Sequence, residues 1–447
     1  MSKIDNMEKP TGNYRYRILA MLFLATTINY MDRSIMGVLG PTLQEKFHWT
    51  NTDYGYINMA FKAAYAMGML AMGGIIDRFG TRIGYTVSIA LWSVFGMLHA
   101  AVRPAFALMG FMAARFGLGF GEAGNFPAAV KTVAEWFPKK DRAFATGIFN
   151  AGSNVGAVLA PAVIPLVVAS NGDNWQFAFL VTGFFSAIWV VMWMRVYRRP
   201  EEHPKVSAEE LAYIQHDCAP QAEVKQEKLS WSKVLPLRQT WAFAIGKTTD
   251  AVWFFFMFWS GIFFKQKFGL DSIKELGGAL VVIYLVADFG SIGGGYLSKY
   301  FLNKGWSLNM ARKISMLICA LCIAPVAFAA LTDNVWIAVA LIALASGGHQ
   351  AWSANLFTLV SDVMPKKAVA SVVGIGGMVG AISGMIVDFA LGKGLDATGN
   401  SFYFWMFLVA GMLYLVILAI IHLMLPKLKP LNGDLNLVEV ATEKVRS

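Results

Sequence analysis

The sequence predicts an all-α membrane protein, with twelve transmembrane helices in two six-helix, pseudo-symmetric bundles. Three observations carry this prediction. Apolar runs of about twenty residues or more recur along the chain, which is the length that crosses a bilayer as helix. The chain is 56% hydrophobic and only 15% charged, with mean hydropathy +0.51, whereas a soluble domain carries about 25% charged residues. A membrane barrel would instead show alternating segments of about ten residues. Finally, the basic residues collect in alternate loops, and the two halves of the chain repeat each other.

The spans fall near 16–40, 54–76, 83–102, 105–131, 141–168, 175–197, 240–265, 275–300, 311–331, 335–362, 367–392 and 401–425. This gives an N-terminal bundle over 1–197, a cytoplasmic linker over 198–239, and a C-terminal bundle with a short tail over 240–447. One set of loops is short and poor in Lys and Arg. The other holds Arg15 and Arg17, Arg78 and Arg82, Lys139-Lys140, Arg195 to Arg199, Lys299 to Lys313 and Lys366-Lys367. The positive-inside rule puts that second set, and both termini, in the cytoplasm. Lys265 and Lys267 are a mild exception. The net charge of +10 is thus spent on topology, and no nucleic-acid partner is expected. The first run is too long for a cleavable signal and carries Asp32-Arg33, so it is read as a membrane span. The linker contains Ser207 and Glu210 in capping-box spacing, which predicts a short helix there.

The repeat is specific. Trp136-Phe137-Pro138-Lys139-Lys140 recurs as Val363-Met364-Pro365-Lys366-Lys367. At that offset Gly147 falls on Gly374 and Glu122 on His349, and Gly73-Gly74 recurs as Gly293-Gly294. Such repeats place a substrate site near mid-membrane at the repeat interface.

Taken in order, the spans carry seven charges at depths where charge is expensive and marks a substrate or ion path. Span 1 holds Asp32 and Arg33. Arg33 offers a rigid fork of donors matched to a carboxylate. An anion engaging it would weaken its hold on Asp32, which would then take a proton, and such coupling is reciprocal. Span 2 holds Lys62 and Tyr65, three apart and pointing the same way, with Lys62 available to a substrate carboxylate or to an acidic partner. The loop that follows, Gly73 to Arg82, pairs glycines with Asp77, Arg78 and Arg82, and is read as a latch for the inner gate. Arg115 and Glu122 in span 4 are two helical turns apart on one face, and Glu122 is a candidate proton carrier.

Span 7 opens with Lys247 and Asp250, which share a face and can pair with each other, followed by Trp253, which can stack on a sugar-like face. Tyr284 and Asp288 in span 8 are read as helix–helix contacts. Cys319 and Cys322 in span 9 lack His or Cys neighbours and are read as small packing residues, so no metal site is expected. Span 10 carries His349, Gln350 and Asn355, whose amides supply the paired donors and acceptors that hydroxyls require. Arg33, Lys62, Arg115 and Lys247 against Asp32, Glu122 and Asp250 leave one positive charge, which suits a monoanion.

These motifs resemble the major facilitator superfamily, and within it the anion:cation symporter branch, over nearly the whole chain. The carriers are Gly73 to Arg82, Tyr30-Met31-Asp32-Arg33, Tyr65, and Arg115 with Glu122. Thr249 to Phe255 and His349 to Thr358, continuing to Val372 to Gly377, are similar to bacterial hexuronate transporters. Lys62 stands where some relatives have an uncharged residue, and Ser153 where galactonate carriers have a glutamine. The resemblance implies that Asp32 and Glu122 carry protons, that Arg33 takes the substrate carboxylate, and that Tyr65 contacts the substrate. It implies a monomeric, multi-pass protein of the bacterial inner membrane that imports a hexuronate such as glucuronate or galacturonate with protons. An aldonate such as galactonate or gluconate is the alternative cargo, and a transport-like nutrient receptor a further one. No cofactor, catalytic triad or phosphate loop is present, so an enzyme is not expected.

Overall fold

A computed structural model describes residues 12–169, 172–215, 231–432 and 435. Among them no β-strand occurs, and the membrane helices follow the sequence spans. They are α1 (Tyr14–Phe47), α2 (Asn51–Ile76), α3 (Arg78–Ala101), α4 (Pro104–Trp136), α5 (Lys139–Val167) and α6 (Gln176–Val196). After the linker helix α7 (Ala208–Gln215) come α8 (Arg238–Lys247), α9 (Asp250–Phe268), α10 (Ile273–Asn303) and α11 (Leu308–Phe328). The last three are α12 (Val335–Val363), α13 (Lys366–Thr398) and α14 (Phe402–Met424).

Nine stretches among the described residues are long and apolar enough to cross a membrane, and one of them contains both α13 and α14. The two remaining expected positions are filled by α1 and by the α8–α9 pair, the segments that carry Asp32-Arg33 and Lys247 with Asp250. Two spans are broken. α4 is interrupted at Ala123-Gly124, one residue past Glu122. The seventh span breaks at Thr248-Thr249, between Lys247 and Asp250.

The chain divides into two compact units: residues 1–49, 56–223 and 271–278, and residues 50–55, 224–270 and 279–447. In the first, α2 and α4 meet through glycines. A Cβ on Gly119 would strike the Phe61 carbonyl, and one on Gly68 the Phe120 carbonyl. In the second, α10 and α12 meet in the same way, with Gly290 against Gly347 and Gly294 against Ala351. Small residues let membrane helices approach to backbone contact. The turn between α2 and α3 passes through Gly80 at φ +77°, where a side chain is disfavoured.

The linker helix belongs to the first unit. Ser207 Oγ accepts from the Glu210 backbone N–H at 3.1 Å, as the capping spacing predicts. The other half of the box is not made. Glu210 turns instead to α1, accepting from the Tyr14 and Arg15 backbone N–H groups at 3.1 Å each and pairing with Arg15 Nη1 at 3.1 Å. The first turn of α1 has unmatched donors, so the carboxylate satisfies more there than by bonding back to its own cap. His203 packs against Tyr14 with ring centroids 4.1 Å apart and the planes tilted by 41°, and Tyr213 donates to Asp141 Oδ2 at 2.7 Å. Burial pushes the Tyr213 hydroxyl up to about 12, with the Asp141 hydrogen bond adding to it, and burial lowers His203.

Candidate functional site

In the first unit Arg33, Glu122 and Arg115 gather around Phe61. Arg33 directs its guanidinium at Glu122, Nη2 to Oε2 at 2.9 Å and Nε to Oε2 at 3.0 Å. Three rings surround it, Tyr30 at 4.7 Å, Tyr65 at 4.8 Å and Phe61 at 5.3 Å to their centroids. Arg115 lies over the other neighbour of this group, 4.5 Å from the Phe61 centroid. Arg33, Lys62, Arg115, Asp32 and Glu122 are all buried, and Tyr65 is half-buried. Buried ions hold their place only when paired and hydrogen-bonded, so this concentration is costly to the fold and points to function.

One expectation about this cluster is corrected. Arg33 does not hold its neighbour Asp32. Successive residues on a helix do not face one another, and Asp32 turns toward α6, where Ser186 Oγ donates to Oδ2 at 3.4 Å. The acid that an incoming anion would displace from Arg33 is therefore Glu122. Arg115 and Glu122 lie along the same helix, seven residues apart, and the α4 break follows directly after Glu122.

In the second unit Lys247 Nζ and Asp250 Oδ2 pair at 2.5 Å across the break between α8 and α9. Thr248 and Thr249 spend their hydroxyls on the Ile245 and Gly246 carbonyls, which fixes the break without glycine or proline. Lys247 also lies 4.8 Å from the Phe357 centroid. His349 Nδ1 shares a 2.7 Å hydrogen bond with Tyr414 Oη, which in turn donates to the Thr249 carbonyl at 3.3 Å. Trp253 is half-buried and stacks on His349, centroids 5.5 Å apart and 7° from parallel. His349, Trp253, Tyr414, Lys247 and Asp250 thus meet around the helix break.

Gln350 is half-buried on α12, next to His349 in sequence. Asn355 is fully engaged elsewhere: it accepts from Ser298 Oγ at 2.5 Å and donates to the Gly294 and Ala351 carbonyls at 2.9 Å. It fastens α10 to α12 where the two backbones touch. Of the latch residues, the Asp77 side chain lies outside the described residues, Arg78 is exposed, and Arg82 donates to the Met194 carbonyl. Beside Arg82, Glu135 accepts from Thr81 Oγ1 at 2.6 Å and from the Tyr197 hydroxyl, lining a cavity of about 260 Å³.

Three buried groups escape the sequence reading. Asp388 of α13 is fully buried and accepts from Trp259 Nε1 at 3.0 Å; the same criterion of charge within an apolar run identifies it. Asn29 and Asn58 are fully buried amides. Asn29 lies one turn before Arg33 and Asn58 one turn before Lys62, and that spacing from the charges was their signal. Among the described residues no group of three His, Cys, Asp or Glu side chains could hold a metal ion.

Comparison with known proteins follows the same lines. Residues 22–388 match the sequence profile of the Major Facilitator Superfamily. The hexuronate transporter of Escherichia coli (strain K12) is 33% identical over 391 residues, covering 87% of this chain and 89% of the relative. The galacturonate transporter of Dickeya chrysanthemi is 33% identical over 337 residues, covering 74% and 95% respectively. Among solved structures, a bacterial homologue of the human lysosomal transporter Spinster superposes with a TM-score of 0.73 at 18% identity, covering 93% of this chain and 97% of its own. With its two compact units, broken charge-bearing spans and glycine-mediated helix pairs, the chain belongs to the Major Facilitator Superfamily and is a multi-pass membrane transporter, not an enzyme.

Proposed function

We propose that this transporter is a proton-coupled symporter of the bacterial inner membrane, with both termini cytoplasmic, that works as a monomer and imports a hexuronate monoanion by alternating access. The observation that carries the reading is the buried Arg33–Glu122 pair enclosed by Tyr30, Phe61 and Tyr65. It is a carboxylate-binding guanidinium whose resting partner is itself a titratable carboxylate. A substrate carboxylate competes for the same donors. Once displaced, Glu122 would be an uncompensated buried anion, which is strongly unfavourable, and a proton neutralises it. Substrate binding and proton binding then favour each other, and by linkage the effect runs both ways. Lys62 and Arg115 add positive charge in the same unit, and the Tyr65 ring has the breadth to cover a sugar face. The names of the relatives at 33% identity support a hexuronate as cargo.

The test is uptake of labelled glucuronate and galacturonate into proteoliposomes, with and without an inward proton gradient, and with galactonate as competitor. Gradient-dependent accumulation that galactonate blocks poorly is the expected result. Strong block by galactonate would move the cargo to an aldonate. Equal uptake without a gradient would remove proton coupling.

A further inference from the structure

The Arg33–Glu122 pair uses only one oxygen of Glu122. Its Oε1 is buried and unpartnered, as are Asp32 Oδ1 and both amide atoms of Asn29. Asn29 is wholly shielded from solvent. Leaving a buried polar atom unmatched costs about 1–3 kcal/mol, so four in one neighbourhood call for an occupant that can serve all of them.

Helix geometry gives the arrangement. With about 100° between successive residues, Asn29 sits one turn before Asp32 and Arg33 and points between them, roughly 60° from the first and 40° from the second. Contacts between α1 and α4 bracket it on either side. Asn125 Nδ2 donates to Thr26 Oγ1 at 3.3 Å on one side, and Arg33 bonds Glu122 on the other. Asn29 therefore lies between the Asp32 carboxylate, which faces α6, and Glu122 on α4. The charged groups in this part of the unit are Asp32 and Arg33 of α1 and Arg115 and Glu122 of α4, with Lys62 also buried on α2; α6 contributes Thr182 and Ser186 as hydrogen-bond partners of Asp32.

We propose that Asn29 is a positioning residue that holds water between Glu122 Oε1 and Asp32 Oδ1, and that this water carries the proton from one carboxyl to the other. Water fits because it takes two to four polar partners, and because the adjacent guanidinium disfavours a metal cation. The step balances: the Glu122 O–H bond breaks as its proton passes to water, water passes a proton to Asp32, and one negative charge moves from Asp32 to Glu122. Arg33 is then ready to take Glu122 back as substrate leaves. The proposal rests on the proton-coupled reading above.

The experiment compares Asn29→Leu, which fills the site with apolar atoms, and Asn29→Ser, which leaves room for water. Both are reconstituted and assayed for gradient-driven accumulation and for substrate counterflow, which needs no net proton movement. Asn29→Leu should lose accumulation by about tenfold or more, since a positioned proton transfer is worth at least that, while counterflow stays within about twofold. Asn29→Ser should keep both. If Asn29→Leu does not reconstitute, Asn29→Val replaces it as the dry variant. Full accumulation by the dry variant overturns the relay. Equal loss of both activities in the dry and serine variants also overturns it, and assigns Asn29 to packing. If the unsubstituted protein accumulates substrate without a gradient, proton coupling fails first and the relay falls with it, a result distinguishable because no variant is involved.

Discussion

At the scale of single residues, everything turns on which acid Arg33 holds. Adjacent helix positions diverge by about 100°, so Asp32 was never positioned to share Arg33's donors, and the 3.6-residue period alone implies it. Its actual partner, 89 residues away, could be placed only by folding. Two substitutions separate the roles. Glu122→Gln keeps a hydrogen-bond acceptor for Arg33 but cannot carry a proton, so counterflow should persist while gradient-driven accumulation is lost. Arg33→Ala removes the carboxylate-binding fork, and both activities should disappear. Arg33→Lys keeps the charge without the planar fork and should weaken substrate binding by about tenfold or more, the worth of one charged hydrogen bond, read as a raised half-saturation in counterflow. Accumulation by Glu122→Gln at the normal level would show that the proton site lies elsewhere. Asn355 teaches the same lesson from the other side. Its amide suits sugar hydroxyls by type, but Ser298 and two backbone carbonyls already take up its donors and acceptor.

At the scale of elements, the breaks and the linker show what periodicity can and cannot reveal. The α4 interruption has a visible cause in Gly124 and Pro127, whereas the break before α9 is set by threonine hydroxyls turning back on carbonyls, a competition that composition does not announce. The linker helix was legible from Ser207 and Glu210, but its docking site was not, because Glu210 serves the start of a helix almost two hundred residues earlier. Glu210→Ala removes two acceptors from the α1 terminus and leaves Arg15 unpaired, so it should cost about 3–5 kcal/mol, seen as a lower midpoint of thermal unfolding in detergent. A midpoint equal to that of the parent would mean the linker is only loosely held. The docking of the linker is also pH-dependent, through His203 packed against Tyr14. Burial lowers His203 below its ordinary 6.5, so the docked form favours the neutral ring. Its contribution is complete above pH 6.5 and is lost as pH falls below that value, because the released linker takes up the proton first. Protease cleavage of the linker should therefore accelerate below about pH 6.5, and His203→Phe should flatten that part of the profile.

At the scale of the whole molecule, the charges are not shared evenly between the units. The first holds Arg33, Lys62 and Arg115 against Asp32 and Glu122, which leaves one positive charge when both acids are ionised. In the second, Lys247 and Asp250 neutralise each other at 2.5 Å. Of the seven charges counted in the sequence, the surplus positive one belongs to the first unit; the second also holds the buried carboxylate of Asp388, which accepts from Trp259 Nε1. A single surplus charge in the first unit favours a monoanion over a dicarboxylate such as galactarate, which brings a second negative charge. Asp250→Asn removes the acid that occupies Lys247 and leaves that cation without its carboxylate. Inhibition of labelled glucuronate uptake by galactarate should then strengthen by about tenfold, or ~1.4 kcal/mol, while self-inhibition by unlabelled glucuronate changes much less. The effect should shrink as ionic strength rises only if the released lysine is open to solvent, because salt screens exposed charges far more than buried ones. An unchanged galactarate inhibition constant in Asp250→Asn would mean that Lys247 does not meet the substrate's second carboxylate, and that the Lys247–Asp250 pair serves the helix break alone.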